Sequence, residues 1–232
     1  MEHDVFTWAS LFPFLKGLPP HVSNAIIVSI ILLIIVFLGY RQLRKTEEEI
    51  VPEPRLTFRN FVEIVVESIS GLVTNTMGPR GREFVLVVGT FALFILFNNL
   101  SGLVPGFLPA TDNVNTTFAC SLTVFVLTHY YGVKEHGIKY VKQFVGPFWW
   151  LAPIMVPIEL IGHIARPLSL GLRLFGNITG DHLVTGIFFS LIPLLVPLPV
   201  MFLGLFVAFV QTFVFTLLSM IYFAGAISHE EH

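Results

Sequence analysis

An arginine stands at position 173, inside a stretch of chain that is otherwise apolar enough to lie within a lipid bilayer. A charge at the centre of a membrane helix costs roughly 2.5–3.5 kcal/mol even on the most lenient insertion scale. A residue this costly is expected to serve a function. The rest of the chain is also apolar: 54% of its 232 residues are hydrophobic, 12% are charged and the mean hydropathy is +0.80. The sequence therefore predicts an all-α integral membrane protein.

Charge-poor windows mark five segments that reach the ~20 residues a spanning helix needs. We predict spans at residues 22–41, 83–101, 114–133, 153–191 and 199–227, within a single membrane domain over residues 1–232. Pro193, Pro197 and Pro199 separate the last two spans, because proline lacks an N–H donor and clashes with the preceding turn. The fourth span is longer than a hydrocarbon core of about 30 Å requires, so we expect it to be tilted, bent or broken.

An amphipathic pattern occupies residues 55–76, between the first two spans. Its apolar side chains recur at helical spacing, and polar side chains take the opposite face. These apolar residues are Phe58, Phe61, Val62, Val65, Ile69 and Leu72. The segment is too polar to span a membrane, so we predict a helix that lies in the membrane interface.

The basic residues predict the orientation of the chain. Ten of the 13 fall in two regions that should face the cytoplasm. They are Arg41, Arg44, Lys45, Arg55, Arg59, Arg80, Arg82, Lys134, Lys139 and Lys142. Five spans then place the N-terminus outside and the C-terminus inside. The first segment lacks the basic start and the cleavage site of a signal peptide, so we expect it to be retained.

Polar residues of the fourth span share one face of a helix. On a helical wheel they fall within an arc of about 80°. They are Glu159, His163, Arg166, Arg173, Asn177 and Asp181. Mutual neutralisation of Glu159 and Arg166 in a static bundle is one explanation. A water-filled path or a charged partner fits better, because interhelical polar bonds in membranes contribute only about 0.6 kcal/mol on average.

Two further sets of polar residues give weaker signals. Gln211, Ser219 and Tyr222 lie near one face of the fifth span, where hydrogen bonds between helices are an alternative explanation for the last two. A second cluster follows the second span and enters the third. Its members are Asn98, Asn99, Asp112, Asn113 and Asn115. A solvated loop accounts for Asp112 as well as an ion entrance does.

Three runs of sequence resemble subunit a of F-type ATP synthases, the stator component of a membrane motor. They are Arg166-Pro-Leu-Ser-Leu-Gly-Leu-Arg173-Leu-Phe-Gly-Asn177, Pro197-Leu-Pro-Val-Met-Phe-Leu-Gly-Leu-Phe206 and Val210-Gln211-Thr212-Phe213. The resemblance is close from residue 153 to the C-terminus. The earlier part of the chain agrees with the family in helix order and in Asn99, which precedes a Pro-Gly-rich loop.

This resemblance implies that the last two spans lie steeply tilted against a rotating ring of c subunits. Two half-channels would bring protons to and from a carboxylate on each ring helix. Arg173 matches the family's essential arginine, which would keep the passing carboxylate ionised because a nearby opposite charge favours the charged form. Gln211, Asn177 and Glu159 match polar positions around this arginine and along the channel. Arg166 matches a position that is often basic, and its role would be secondary.

Position 182 departs from the pattern of many bacterial and plastid members, which have glutamate there. This chain has His182, next to Asp181, and Gly204 in place of the histidine that some bacteria have on the last helix. Histidine and aspartate can both pass protons. Whether Asp181 or His182 does so stays open.

The resemblance also predicts the partners and the location. These would be c-ring subunits, peripheral-stalk subunit b and the lipid bilayer of a bacterial plasma membrane. The transported ion would be H+, with Na+ as the open alternative. The chain has no phosphate-binding loop, so we expect it not to bind nucleotide directly. We also expect no nucleic acid, cofactor or metal, and we expect any catalytic activity to belong to the complex and not to this chain by itself.

Two other hypotheses belong to different functional classes. The polar face of the fourth span would serve as the substrate path of a stand-alone ion transporter or channel. Alternatively, the chain would be a structural subunit that anchors a peripheral stalk, which would leave Arg173 without a role. Co-purification with a c-ring separates the first hypothesis from both.

Overall fold

The protein is an all-α integral membrane protein. The computed structural model describes residues 8, 15, 17–44, 57–104, 106–137, 140, 150, 152–191 and 197–228. The helices are α1 (Pro20–Arg44), α2 (Phe58–Met77), α3 (Val85–Ser101), α4 (Val114–His136), α5 (Ala152–Leu191) and α6 (Pro197–Ile227). Short 3-10 helices occupy Pro79–Phe84 and Ala110–Asp112.

Three segments among the described residues are long and apolar enough to cross a membrane: Pro20–Gln42, Pro79–Ser101 and Leu198–Ile227. Helices α4 and α5 are also long enough, but they contain more polar side chains. The five spans, the tilt, the orientation and the single membrane domain stay predictions. Lys45, Arg55, Lys139 and Lys142, which were used for the orientation, lie outside the described residues, as does Pro193.

Local sequence explains several helix ends. The Thr57 side chain accepts a hydrogen bond from the Asn60 N–H at the start of α2, and Asn113 caps α4 through the Asn115 N–H at 2.9 Å. Gly137 follows α4 with φ of 56°, a conformation in which a residue without Cβ is favoured. Helix α6 begins at Pro197, where the missing N–H has no cost.

Contacts divide the chain into two compact units, Met1–Ala110 and Thr111–His232. In the first unit, α3 packs against α1 and α2, and α2 also contacts the 3-10 helix that follows it. Val73 of α2 is completely buried there, against Gly81. The Asn24 side chain donates a hydrogen bond to the carbonyl of Leu108.

The second unit is built from α4, α5 and α6, each of which contacts the other two. Buried apolar residues of α5 recur every fourth position at Leu170, Leu174 and Ile178, as expected for one face of a packed helix. Helix α5 runs unbroken through Pro157 and Pro167, so of the three expected alternatives, tilted, bent or broken, the break does not occur. Its 40 residues correspond to about 60 Å at 1.5 Å per residue.

Candidate functional site

Arg173 lies on an exposed part of α5, in the second unit. Its nearest described hydrogen-bond partner is the Ser169 hydroxyl, one turn earlier, at 3.4 Å from Nη2. The adjacent Leu172 is exposed too. The guanidinium is thus exposed on α5, where it is available to an anionic group outside the chain.

Asn177 and Gln211 connect α5 to α6 one turn from Arg173. The Asn177 side-chain amide donates to Oε1 of Gln211 at 2.5 Å. Gln211 is 2% exposed, and its Nε2 is buried without a hydrogen-bond partner among the described residues. A buried amide with a spare donor is costly unless something accepts from it. Asn177 and Gln211, which the family resemblance places around the same arginine, are in direct contact.

Asp112, in the 3-10 helix before α4, lies at the centre of a polar cluster. The other members, Thr179 and His182, belong to the C-terminal half of α5. The two carboxylate oxygens of Asp112 accept separately from the Thr179 hydroxyl and from Nδ1 of His182, the latter at 3.1 Å. Burial by itself would raise the pKa of Asp112, but the hydrogen bonds from His182 and Thr179 outweigh it and keep the pKa below its ordinary value. The carboxylate therefore stays ionised at neutral pH and can hold a proton donor in place.

Asp181 faces α6 next to this cluster. A Cβ atom built on Gly204 would lie 2.5 Å from its Oδ2 atom, so the carboxylate occupies the space that a side chain at position 204 would take. Gly204 is thus the residue that admits Asp181 between the two helices. Asp181 and His182, the two candidates for proton relay, thus have different neighbours. Asp181 lies against Gly204, and His182 contacts Asp112.

A second polar cluster lies towards the N-terminal end of α5. Nδ1 of His163 lies 2.8 Å from the carbonyl oxygen of Glu159 and 3.3 Å from its Oε1. The Arg166 guanidinium lies over the Tyr222 ring of α6, 5.7 Å from its centroid, which is a cation–π contact. Glu159 and Arg166 thus have separate partners, in contrast to the mutual neutralisation considered from the sequence.

Other predicted site residues make local contacts. Asn113 and Asn115 form the cap of α4, and the buried Ser219 hydroxyl donates to the Phe215 carbonyl of its own helix. Asn99 is buried in α3, in the first unit, with the carbonyl accepting from the Gly102 N–H. The described contacts of Asn113, Asn115 and Ser219 are thus local, and their secondary role in transport stays a prediction.

The two polar clusters lie on opposite sides of Arg173 along α5. At 1.5 Å per residue, Glu159 is about 21 Å before Arg173 and His182 about 14 Å after it. Carboxylate and imidazole groups, which can accept and donate protons, lie at both ends, and the guanidinium of Arg173 lies between them. This arrangement can pass protons from each end towards the middle while opposing direct passage of a cation.

Sequence reasoning missed the role of Asp112 and did not single out Thr179. The partners of Asp112 lie 67 and 70 residues further along the chain, so no local pattern could pair them. The one available signal was the adjacency of Asp112 to the predicted start of a span, which is also typical of a solvated loop.

Comparisons with known proteins identify relatives of this chain. Residues 23–224 match the family described as ATP synthase A chain. The chain is 52% identical over 211 residues to ATP synthase subunit a 1 of Syntrophotalea carbinolica, covering 91% of this chain and 87% of that protein. It is 56% and 54% identical over 169 residues to ATP synthase subunit a of Trichlorobacter lovleyi and of Geobacter sulfurreducens, which covers 73% of this chain and 74% of each relative.

Proposed function

Because this chain belongs to the ATP synthase subunit a family, we propose that it is the proton-translocating membrane subunit of that complex. Its substrate is H+, which it carries between the membrane surfaces and a ring of c subunits. Synthesis or hydrolysis of ATP takes place elsewhere in the complex. Membership of this family favours a subunit of the complex over a stand-alone transporter.

Arg173 is the central residue of the proposed mechanism. Facing the ring, its guanidinium favours the ionised form of each passing carboxylate, so the carboxylate releases its proton. The same positive charge repels a proton that would cross directly from one half-channel to the other. Each proton therefore has to travel on the ring, and ion flow drives rotation.

The cluster around Asp112 belongs to one half-channel. Asp112 fixes His182 through Nδ1, so the proton that this imidazole gains or loses is at Nε2. Asp181, seated against Gly204, is the next group along α5 and lies closer to Arg173 in sequence. We assign the relay to both residues, with Asp112 as the group that positions His182.

Glu159 belongs to the other half-channel, at the opposite end of α5. Its carboxylate is 41% exposed, and the buried His163 ring lies beside it. An exposed carboxylate next to a buried imidazole can take up a proton from the medium or release it there. Asn177 and Gln211 would position groups at the ring carboxylate between the two paths.

The ring is the partner that best fits the exposed surface near Arg173. Cβ atoms built on Gly176 and Gly180 would have no atom within 4 Å, so this part of α5 leaves room for another helix to approach. Peripheral-stalk subunit b and the lipid bilayer of a bacterial plasma membrane complete the proposed surroundings. The polar face of α2 is available to a stalk subunit.

The observation that carries the proposal is the exposed Arg173 one turn from the Asn177–Gln211 contact. The test is ATP-driven acidification of inverted vesicles that contain the whole complex with Arg173→Ala. We expect loss of pumping in a complex that still co-purifies with its c-ring. Leu172→Ala, a truncation of the adjacent exposed apolar residue, is the matched control and should pump normally. Normal pumping by assembled Arg173→Ala would overturn the proposal.

A further inference from the structure

A pair of histidines lies next to Glu159, and none of the sequence motifs includes its α4 member. The rings of His129, on α4, and His163, on α5, have centroids 5.5 Å apart and an interplanar angle of 74°. Tyr140 approaches the other side of His129, with ring centroids 5.9 Å apart. We name His129, His163 and Tyr140 the histidine cluster.

Backbone carbonyls fix which nitrogen of each histidine exchanges a proton. Nδ1 of His129 lies 2.9 Å from the carbonyl oxygen of Phe125, and Nδ1 of His163 lies 2.8 Å from that of Glu159. A carbonyl oxygen only accepts, so both Nδ1 atoms bear hydrogen and act as donors. A proton that either ring gains or loses is therefore at Nε2.

His163 and Tyr140 are buried, whereas His129 is partly exposed. His163 is 6% exposed, and Tyr140 is packed against Gly132 and is 5% exposed. Burial raises the pKa of Tyr140, although Arg166 opposes this, so its hydroxyl remains protonated at neutral pH. The groups that face the two histidines are Glu159 and Arg166 of α5, Tyr140, and Tyr222 of α6.

A small cavity adjoins the cluster. Its volume is about 10 Å³, which is close to the smallest space that holds one water molecule. His129, Arg166 and Tyr222 are among its lining residues, together with the hydroxyl-bearing Ser121 and Thr128. A single water molecule in this cavity would have His129 and these hydroxyl groups among its polar neighbours.

Charge limits how many protons the cluster can hold. Arg166 interacts electrostatically with His129, and a second imidazolium 5.5 Å from the first adds like-charge repulsion. The Glu159 carboxylate, 3.3 Å from His163, compensates one positive charge. The arrangement favours a single mobile proton on the pair.

We propose that His129 and His163 form a proton-transfer site that links Glu159 to the interior of the half-channel. This inference rests on the proposed function. Uptake at Nε2 converts a neutral ring to imidazolium, and release from Nε2 restores the neutral ring, so no other bond changes. His129 is then a further transport residue, contributed by α4, whereas the other residues of this half-channel come from α5.

The test compares His129→Gln and His163→Gln with His136→Gln, a control near the end of the same α4 helix. The readout is coupled pumping, the rate of ATP-driven acidification per assembled complex in vesicles that contain the whole complex, measured over a range of pH. We expect each cluster variant to lower this rate by about tenfold, since glutamine cannot accept and pass on a proton, and to flatten its pH dependence. His136→Gln should match the wild type.

A rescue experiment separates transport from folding. With His129→Ala, added imidazole should restore pumping in a concentration-dependent manner, and it should not affect the wild type. Unchanged coupled pumping and an unchanged pH profile in both glutamine variants would overturn the inference, as would failure of imidazole in an assembled complex. If Arg173→Ala abolishes pumping in the same vesicles, such a failure leaves the proposed function intact.

Discussion

Among the described residues of the second unit, Gln211 has a buried side-chain donor without a hydrogen-bond partner. We expect Gln211→Leu to remove the amide group, to lose the bond from Asn177 and to lower coupled proton flux. The decrease should be about fivefold, the factor that corresponds to the ~1 kcal/mol of a typical hydrogen bond. The measurement is ATP-driven acidification, with the amount of assembled complex determined on the same vesicles.

Thr212→Val is the matched control for this change. The Thr212 hydroxyl donates to the Ala208 carbonyl of its own helix, so valine replaces it at similar size without altering contact with α5. Undiminished pumping by Gln211→Leu at normal complex levels would argue against a place for Gln211 in the path. Equal losses in both variants would point to general disturbance of α6.

Asp112 stabilises the second unit in a pH-dependent way. Since its pKa is lowered in the folded state, its contribution is present above the ordinary value of 3.8 and is lost as the pH falls through the lower folded value. We expect Asp112→Asn to reduce stability by about 1–2 kcal/mol at neutral pH, where a charged hydrogen-bond acceptor is replaced. Below 3.8 the wild type and the variant should converge.

Thermal unfolding of the purified complex in detergent measures this difference as the pH is lowered. Asn113→Ala removes a neighbouring cap instead and provides a comparison whose effect should not titrate in the same range. A stability difference between wild type and Asp112→Asn that stays constant with pH would contradict the assigned role of the carboxylate.

Residues whose charge is energetically costly inside a membrane were predictable from the sequence alone. Arg173 was identified because a guanidinium is expensive at membrane depth, and Asn177 because it shares the polar face of the same helix. Gln211 gave a weak signal by itself, and its role came from the family resemblance. Asp112 and His129 could not be assigned in this way. His129 acquires its partner when α4 packs against α5, and Asp112 when the 3-10 helix before α4 does so. No local spacing encodes either contact.

Helices α4 and α5 approach closely at Gly171. A Cβ atom there would lie 2.8 Å from the Ser121 hydroxyl oxygen and 3.4 Å from the Phe118 ring. We expect Gly171→Ala to destabilise the second unit by about 1–2 kcal/mol, because overpacking outweighs the better helix propensity of alanine. Thermal unfolding in detergent and the yield of assembled complex give the measurement.

Gly162→Ala isolates the helix-propensity part of this effect, since a Cβ on Gly162 meets no atom within 4 Å. It should stabilise α5 slightly or leave it unchanged. Adding Ser121→Ala to Gly171→Ala should recover part of the loss, because the clashing oxygen is removed. Equal stability of Gly162→Ala and Gly171→Ala would show that the helices tolerate a wider separation.

Among the described residues, six α-helices overlap segments that hydropathy windows or helical periodicity marked, while the number of spans stays a prediction. Prolines at 197 and 199 located the start of α6, since a helix accommodates proline in its first turn. The continuity of α5 did not follow. A proline at 167 is compatible with a kink, a break or an unbroken helix, and packing against α4 and α6 decides among these.

At the scale of the whole molecule, family membership followed from three runs of sequence that lie mostly in α5 and α6. The motifs were sufficient because a proton path near a charged residue constrains several side chains at fixed spacing. The division of the chain into two compact units was not predicted. Contacts among α4, α5 and α6 join residues that are distant in sequence, whereas a hydropathy window describes one span at a time.

The predicted topology with five spans assigns each loop to one side of the membrane. The background is Cys120→Ala, because Cys120 is the one cysteine of the chain and is buried. Into it we place single cysteines at exposed positions: Val104→Cys, Glu135→Cys, Leu198→Cys or Ser228→Cys. A membrane-impermeant maleimide should label positions 104 and 198 from the outside, and positions 135 and 228 from the cytoplasmic side in inverted vesicles.

Each pair of neighbouring sites tests one helix. Opposite labelling of 104 and 135 requires α4 to cross, and opposite labelling of 135 and 198 requires α5 to cross, although both helices are rich in polar groups. If 135 and 198 were labelled from the same side, α5 would not span. Glu159 and His182 would then not lead to opposite surfaces, and the two half-channels would have to be abandoned.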